Sequence, residues 1–388
     1  MSRARGAGAV ALALAPALLL SALAGPPGDR PALAGSPDPA RPGLADERRA
    51  LRRACAWLWA RQAADGGWHS ESYGLLASGQ ALTPFVLDAL LRVPEEVAPR
   101  PPGGVARGLA FLRAHVGPDG RLGCSIAGLA EYPTYATALG LSCLARAGEP
   151  ADRELIARMR AALLASQLAS DLPADHPAQG GWGFGVRPPG HPGHVDLGHT
   201  RHALEALARS GGVPEPARAR ALRFLALLQK EPGELLRQPL PGAEAARDGG
   251  FYFSPVVLPA SKGRELASYA TATCDGLQAL LHAGVPADDP RVRAAAAWLE
   301  AQPRLDLPQG IPTGGSERWA ESIVHYHLAV RAEAWALLGR PGAWRGEMRS
   351  LLAGWQREDG SFVNRDCHLM KEDDPFVATA LAVLALAS

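Results

Sequence analysis

Between His191 and His202 the chain places His191, His194, Asp196, His199 and His202, a large share of its 11 histidines. Asp196, His199 and His202 follow at three-residue steps, so a helix sets successive members on neighbouring positions. Such a set can act as a general acid–base pair or bind a metal. It is equally the composition of a polar helix entrance with Asp196 as N-cap. The spacing fixes no ligand geometry, so no metal is assigned and no cofactor is implied.

A second group is Lys371-Glu372-Asp373-Asp374-Pro375. Acidic residues before a proline at the first helical position are what a helix N-terminus prefers. If the buried helices all enter from one face, Asp374, Asp196 and Tyr269 converge at one mouth. A partly desolvated carboxylate there would have the raised pKa of an acid. Tyr269 and Asp275 sit at the start of a buried helix, where Asp275 needs a partner; Asp88 holds a similar place nearer the N-terminus. Trp319 and Glu321 precede another such helix, either lining a cavity or packing ordinarily. His325 and His327 are two apart and point to different sides. The catalytic candidates are thus Asp196, His199 and Asp374, and the cavity or ligand-binding candidates are Tyr269, Asp275, Asp373 and Trp319. No serine nucleophile elbow, P-loop or dinucleotide fingerprint occurs in a strand–turn–helix context.

The elements that must position these residues repeat. An amphipathic helix ends in a Gly/aromatic turn at Gln62-Ala63-Ala64-Asp65-Gly66-Gly67-Trp68. Related turns follow at Asp119-Gly120, Gly180-Gly181-Trp182, Asp248-Gly249-Gly250-Phe251, Gly310 (the most worn) and Asp359-Gly360-Ser361-Phe362. After each comes a more apolar helix, beginning near Thr83, Tyr135, Thr200, Thr271, Val324 and Pro375. Gly148, Gly211, Gly284 and Gly339 are placed as C-caps. Thr137, Thr200 and Thr273 fall at one helical position when counted back from three of those glycines. The first helix of each unit carries Arg and Glu on a water-facing side, whereas Ala378–Leu384 is apolar nearly all round and must be buried. One pair cannot cover its own inner helix, so units must stack, and six pairs can close into a ring. The expected fold is all-α, an α6/α6 toroid.

The chain has 388 residues, 47% of them hydrophobic, enough for a large core. Its net charge of +1 and lack of a basic run give no case for nucleic acid. Arg3 and Arg5, an apolar stretch from about Ala7 to Leu20, and small residues at Ala22 and Ala24 form a secretion signal. The expected division is a signal peptide over 1–24, a flexible leader over 25–45 and the repeat domain over 46–388. Location is then secreted or periplasmic. Cys55, Cys124, Cys143, Cys274 and Cys367 are far apart and form no CxxC. Core packing suits them, and export permits one or two disulfides.

Gln62-x-x-x-Gly66-x-Trp68, with Gln356-x-x-x-Gly360-x-Phe362, resembles the QW motif of squalene and oxidosqualene cyclases, relatives of which occur in protein prenyltransferase β subunits. The resemblance runs from about Arg48 to Ser388. It implies the toroid with a largely apolar central cavity, an isoprenoid or other lipid ligand, and possible peripheral membrane association; it leaves protein partners unspecified. Asp196-Leu197-Gly198-His199-Thr200 is similar to the family's Asp-x-Asp-Asp-Thr motif, but Gly198 stands where the proton-donating Asp belongs. In the prenyltransferase pattern, Ala272 and Ala267 stand where zinc-binding Cys and Asp belong, with Cys274 and Asp275 shifted. Two alternatives to a cyclase-like enzyme stay open: a non-catalytic extracytoplasmic scaffold or binding protein, and a glycan-active enzyme on the same toroid.

Overall fold

Four of the six inner helices start where a side chain or a proline satisfies the first turn. Asp374 Oδ1 accepts the backbone N–H groups of Phe376 and Val377 at 2.9 and 3.3 Å, with Pro375 at the first helical position. Asp196 does the same for the N–H of His199 at 2.9 Å. A computed structural model describes residues 44–169, 171–230, 247–257, 262, 266–314 and 317–388, with only the backbone for 44–47. The expected signal peptide and nearly all of the leader lie outside the described residues.

The inner helices are α2 (Leu82–Leu91), α4 (Pro133–Ala147), α6 (Leu197–Arg209), α8 (Ala270–His282), α10 (Val324–Leu337) and α12 (Pro375–Ala387). The outer ones are α1 (Leu44–Trp59), α3 (Gly104–His115), α5 (Arg153–Ala165), α7 (Glu215–Leu228), α9 (Pro290–Glu300) and α11 (Trp344–Trp355). Every inner helix packs on the next, and α12 packs back on α2, so the inner ring closes. The outer helices lie against it, α1 on both α11 and α12. The fold is the expected all-α, α/α toroid. Among the described residues no helix is long and apolar enough to cross a membrane. The five cysteines are free, with Cys55, Cys143 and Cys274 buried in the packing.

The Gln of the turn has a mechanical role. Gln62 Nε2 donates to the carbonyls of Gly66 and Gly104, both at 2.9 Å, tying its own turn to the start of the next outer helix. Gln167 repeats this with Gly180 and Ala217, and Gln229 with Gly249 and Arg291. Gln356 reaches Gly360 at 3.0 Å and Ala50 of α1 at 2.9 Å, which joins the last outer helix to the first. In the worn fifth turn Gln302 is not used this way. Arg331 of α10, fully buried, donates instead to the carbonyls of Leu299 and Gln302.

The threonine column is equally functional in folding. The hydroxyls of Thr83, Thr137, Thr200, Thr273 and Thr379 accept the backbone N–H of Trp68, Leu122, Trp182, Phe251 and Phe362 at 2.9–3.1 Å. Five of the six inner helices thereby fix the turn that precedes them, and the turn's side chain, aromatic in four of the five, is buried. We expect Gln356→Ala to leave two carbonyls underbonded and to destabilise the protein by about 1–3 kcal/mol. Faster amide exchange in α1, read alongside denaturant unfolding, checks this; unchanged exchange there would count against the closure role.

Candidate functional site

The six inner helices present their N-termini to one end of the ring, and polar groups collect there. Asp196, extended at φ −159°, precedes α6. Its Oδ2 lies 2.7 Å from His199 Nδ1 and 3.1 Å from His194 Nε2. Burial opposes its charge, yet His199 and His194 outweigh burial and hold the carboxyl below the usual range. Asp196 is therefore ionised, and its contact with Nδ1 leaves Nε2 as the ring nitrogen free to face a ligand. That Nε2 is buried with no partner. The His199 ring packs on Tyr135, with centroids 4.3 Å apart, and approaches Phe184 at 6.3 Å.

Gly198 is accounted for by the same tyrosine. A Cβ at position 198 would lie 2.5 Å from Tyr135 Oη. The place where the resemblance puts a carboxylic acid is thus filled from α4, and no side chain fits without moving Tyr135. His202 has turned away to Arg201, with Nε2 2.8 Å from its guanidinium, and His191 is exposed in the preceding loop. The run of histidines resolves into a carboxylate with two imidazoles. Among the described residues no group of three or more His, Cys, Asp or Glu is arranged to hold a metal ion.

Asp275, on the second turn of α8, faces the same end. Tyr326 Oη donates to both its oxygens at 2.8 Å, and Arg201 Nε forms an ion pair at 3.1 Å. Burial dominates over these partners and pushes the carboxyl up to about 6. Tyr269 is buried beside it, and burial with the Asp275 and Asp196 charges raises its pKa well above 10. Trp319, Tyr135, Tyr326 and Phe253, only partly buried, mark this end of the lumen, termed the chamber. Lys262 projects between the rings of Phe253 and Trp319.

Below the chamber the lumen is filled with charge. Arg201 pairs with Glu333 at 3.3 Å and Glu205 at 3.5 Å and bonds Gln278 at 3.1 Å. Arg92 binds Asp88, Glu205 and Glu333, each at 2.8 Å. Burial works against ionising Glu205, but Arg92, His282 and Arg201 hold it well below the usual range; burial prevails at Glu333, which is raised. The apolar central cavity implied by the resemblance is not what these side chains build. The cause is the inward placement of the few charged residues on α2, α6, α8 and α10.

The acidic run before α12 is placed differently. Besides capping α12, Asp374 accepts from Ser70 Oγ at 2.5 Å. Asp373 accepts from Tyr73 Oη and His368, and Glu372 caps α10 by accepting the N–H groups of His325 and Tyr326. None of these contacts reaches Asp196, His199 or Asp275. His327 bonds the Arg304 carbonyl. At the shifted zinc segment, burial pushes the Cys274 thiol up to about 12, unlike a metal-bound thiolate.

Of the residues singled out from the sequence, Asp196, His199, Tyr269, Asp275 and Trp319 lie together at the chamber end, and Asp373 and Asp374 do not join them. Sequence reasoning missed Tyr135, Arg201, Lys262 and Tyr326. Arg201 had a usable signal, an arginine in the first turns of an inner helix beside the histidine run; Lys262 had none, because it belongs to no regular element.

A cleft of about 480 Å³ opens outside the chamber, bounded by Asp119, Arg121, Phe184, Arg187 and His194. His194 and Phe184 are the link, since both also touch the Asp196–His199 pair.

No family model and no curated protein matches this chain. Solved structures do. The type II terpene cyclase MstE from Scytonema is 15% identical, with a TM-score of 0.56, over 89% of this chain and 98% of that one. A variant of it in complex with its substrate geranylgeranyl dihydroxybenzoate is 17% identical, with a TM-score of 0.52, over 89% and 97%. A protein from Actinoplanes is 19% identical, with a TM-score of 0.51, over 88% and 98%. At these identities the likeness establishes the α/α toroid and nothing of the reaction.

Proposed function

Starting from that shared toroid, we propose that this protein is an acid–base enzyme. Its reaction takes place in the chamber at the N-terminal end of the inner helices. Its ligand is amphiphilic, with a heteroatom at the reacting end. The observation that carries this reading is His199, whose Nδ1 is held by Asp196 at 2.7 Å while Nε2 is buried without a partner. A histidine fixed in that way offers Nε2 as a general base and returns the proton as an acid. Asp196 orients the ring and stabilises its cation. Asp275, at about 6, is the complementary group that can hold a proton near neutrality.

The strength of that acid selects the chemistry. A carboxylic acid near 6 matches protonation of a departing oxygen or nitrogen at neutral pH. Protonating an alkene, as cyclases of this fold type do, demands a far stronger acid, and the residue that would supply it is Gly198. In this reading an isoprenoid or other apolar tail would lie against Phe184, Phe253 and Trp319. Export to a secreted or periplasmic location, and any peripheral membrane association, rest on the sequence pattern alone.

The test is a panel of alkyl and aryl glycosides, prenyl ethers and esters, and unfunctionalised polyprenes. We expect turnover only of heteroatom-bearing compounds, and His199→Asn to lower kcat/KM by roughly 100-fold. Turnover of the alkenes alone, unaffected at His199, would overturn the reading. The non-catalytic scaffold is favoured by one observation, the charge-filled lower lumen. Absence of turnover, with no retained ligand by native mass spectrometry, would support it. The glycan-active alternative predicts glycosides as the sole substrates.

A further inference from the structure

One charge in the chamber has no part in the acid–base pair. Lys262 is only 9% exposed, and its Nζ lies 4.7 Å from the Phe253 ring centre and 5.0 Å from that of Trp319. Two ring faces attract an ammonium but cannot accept its three N–H donors. Among the described residues no carboxylate comes within ion-pairing distance of it. The negative groups that it senses are Asp196 and Asp275. Both are already engaged, Asp196 by His194 and His199, and Asp275 by Arg201 and Tyr326.

Among the described residues the two rings leave the Lys262 N–H donors without a protein acceptor, and its amine is not fully shut off from solvent, so a ligand in the chamber can complete it. Burial lowers the amine to about 8, against the pull of those two carboxylates. The missing partner must bring acceptor oxygens and a negative charge, and it must fit beside aromatic walls. We infer that the chamber takes a ligand bearing an oxyanion, a carboxylate or a phosphate, that pairs with Lys262. The rest of the ligand lies along Phe253 and Trp319 toward His199. This rests on reading the chamber as the reaction site, and it adds the ligand's second point of attachment. Because the pair needs the protonated amine, affinity is full below the Lys262 midpoint. Affinity then falls about tenfold per pH unit above it.

The sequence holds only three lysines, Lys230, Lys262 and Lys371, so lysine-selective ¹³C labelling of the full chain gives a readable spectrum. The probes are benzoate and inorganic phosphate, with sodium chloride at matched ionic strength as control. We expect the Lys262 Cε signal to titrate near pH 8 and its midpoint to rise by about one unit, saturably, with benzoate, phosphate or both. Benzoate alone points to a carboxylate ligand, phosphate alone to a phosphorylated one. Lys262→Met should abolish the binding measured by calorimetry, and Lys262→Arg should retain it.

An unmoved Lys262 midpoint, or shifts confined to Lys230 and Lys371, would overturn the inference. So would an amine that ignores both anions but is trapped by borohydride with an added aldehyde, since that indicates imine chemistry. His199→Asn separates the two readings. Anion binding intact in that variant, with no turnover in the parent, sustains the Lys262 site and sinks the acid–base reaction. Turnover that Lys262→Met leaves unchanged does the reverse.

Discussion

Arg201→Met should destabilise the protein by about 3–5 kcal/mol at pH 7.5, and by clearly less at pH 5. The guanidinium lies in ion-pair contact with Asp275, Glu205 and Glu333, all buried, and removing it leaves their charges poorly compensated. Arg92 still serves Glu205 and Glu333, so the largest uncompensated charge falls on Asp275. The pH dependence follows from the direction of that residue's shift. Asp275 stands near 6 in the folded protein and near 4 when unfolded. A carboxyl raised on folding binds its proton more tightly in the folded state. Its contribution to stability is therefore complete below about pH 4 and is lost as pH rises through 6. Without Arg201 the folded pKa climbs further, and the loss deepens at higher pH. Denaturant unfolding at the two pH values measures it, and adding Asp275→Asn should restore part of the stability at pH 7.5. An equal loss at both pH values would show that packing, not charge, accounts for the effect.

Gly180→Val should cost about 4 kcal/mol or more, and Gly360→Val less, though still more than about 1 kcal/mol. Both glycines take positive φ, +89° and +95°, where a β-branched residue is strained. The difference lies in what a Cβ would meet. At Gly180 it would lie 2.0 Å from the Arg220 carbonyl oxygen of α7, which cannot yield without shifting the helix. At Gly360 the corresponding oxygen, that of Arg53 in α1, is 2.8 Å away. Each glycine also supplies a carbonyl to the Gln of its turn, Gln167 or Gln356, so that bond is loosened in both variants and does not set the ranking. Melting curves of the two variants test the ranking, and Gly360→Val as the more damaging would refute it.

These predictions separate what was legible in the sequence from what was not. The ring was legible because its parts are local and repeated. A Gln, a positive-φ Gly and a buried aromatic recur at short spacing, and the Thr column marks the partner helix. The charged lumen was not, because each inner helix carries only a few ionisable residues. Asp88, Arg201, Glu205, Asp275 and Glu333 look like isolated polar positions until closure turns them toward one axis. The Asp196–His199 pair was visible as an i, i+3 spacing on one helix. Tyr135 could not be assigned to it, because the contact crosses from α4 to α6. The acidic run before α12 shows the opposite limit: its composition fits an acid site, and its contacts are partly helix caps and partly bonds to Ser70, Tyr73 and His368, none of which its spacing foretells.

The bond from Gln356 to Ala50 also bears on how the molecule comes apart. A linear stack of helix pairs frays from its ends, losing one interface at a time. Here α12 rests on α2 and α11 on α1, so no unit of the ring has a free flank. Releasing any one pair breaks two interfaces at once and exposes the ionic lumen to water. The toroid should therefore unzip only after its seam opens, with slow global opening and little sub-global exchange except at that junction.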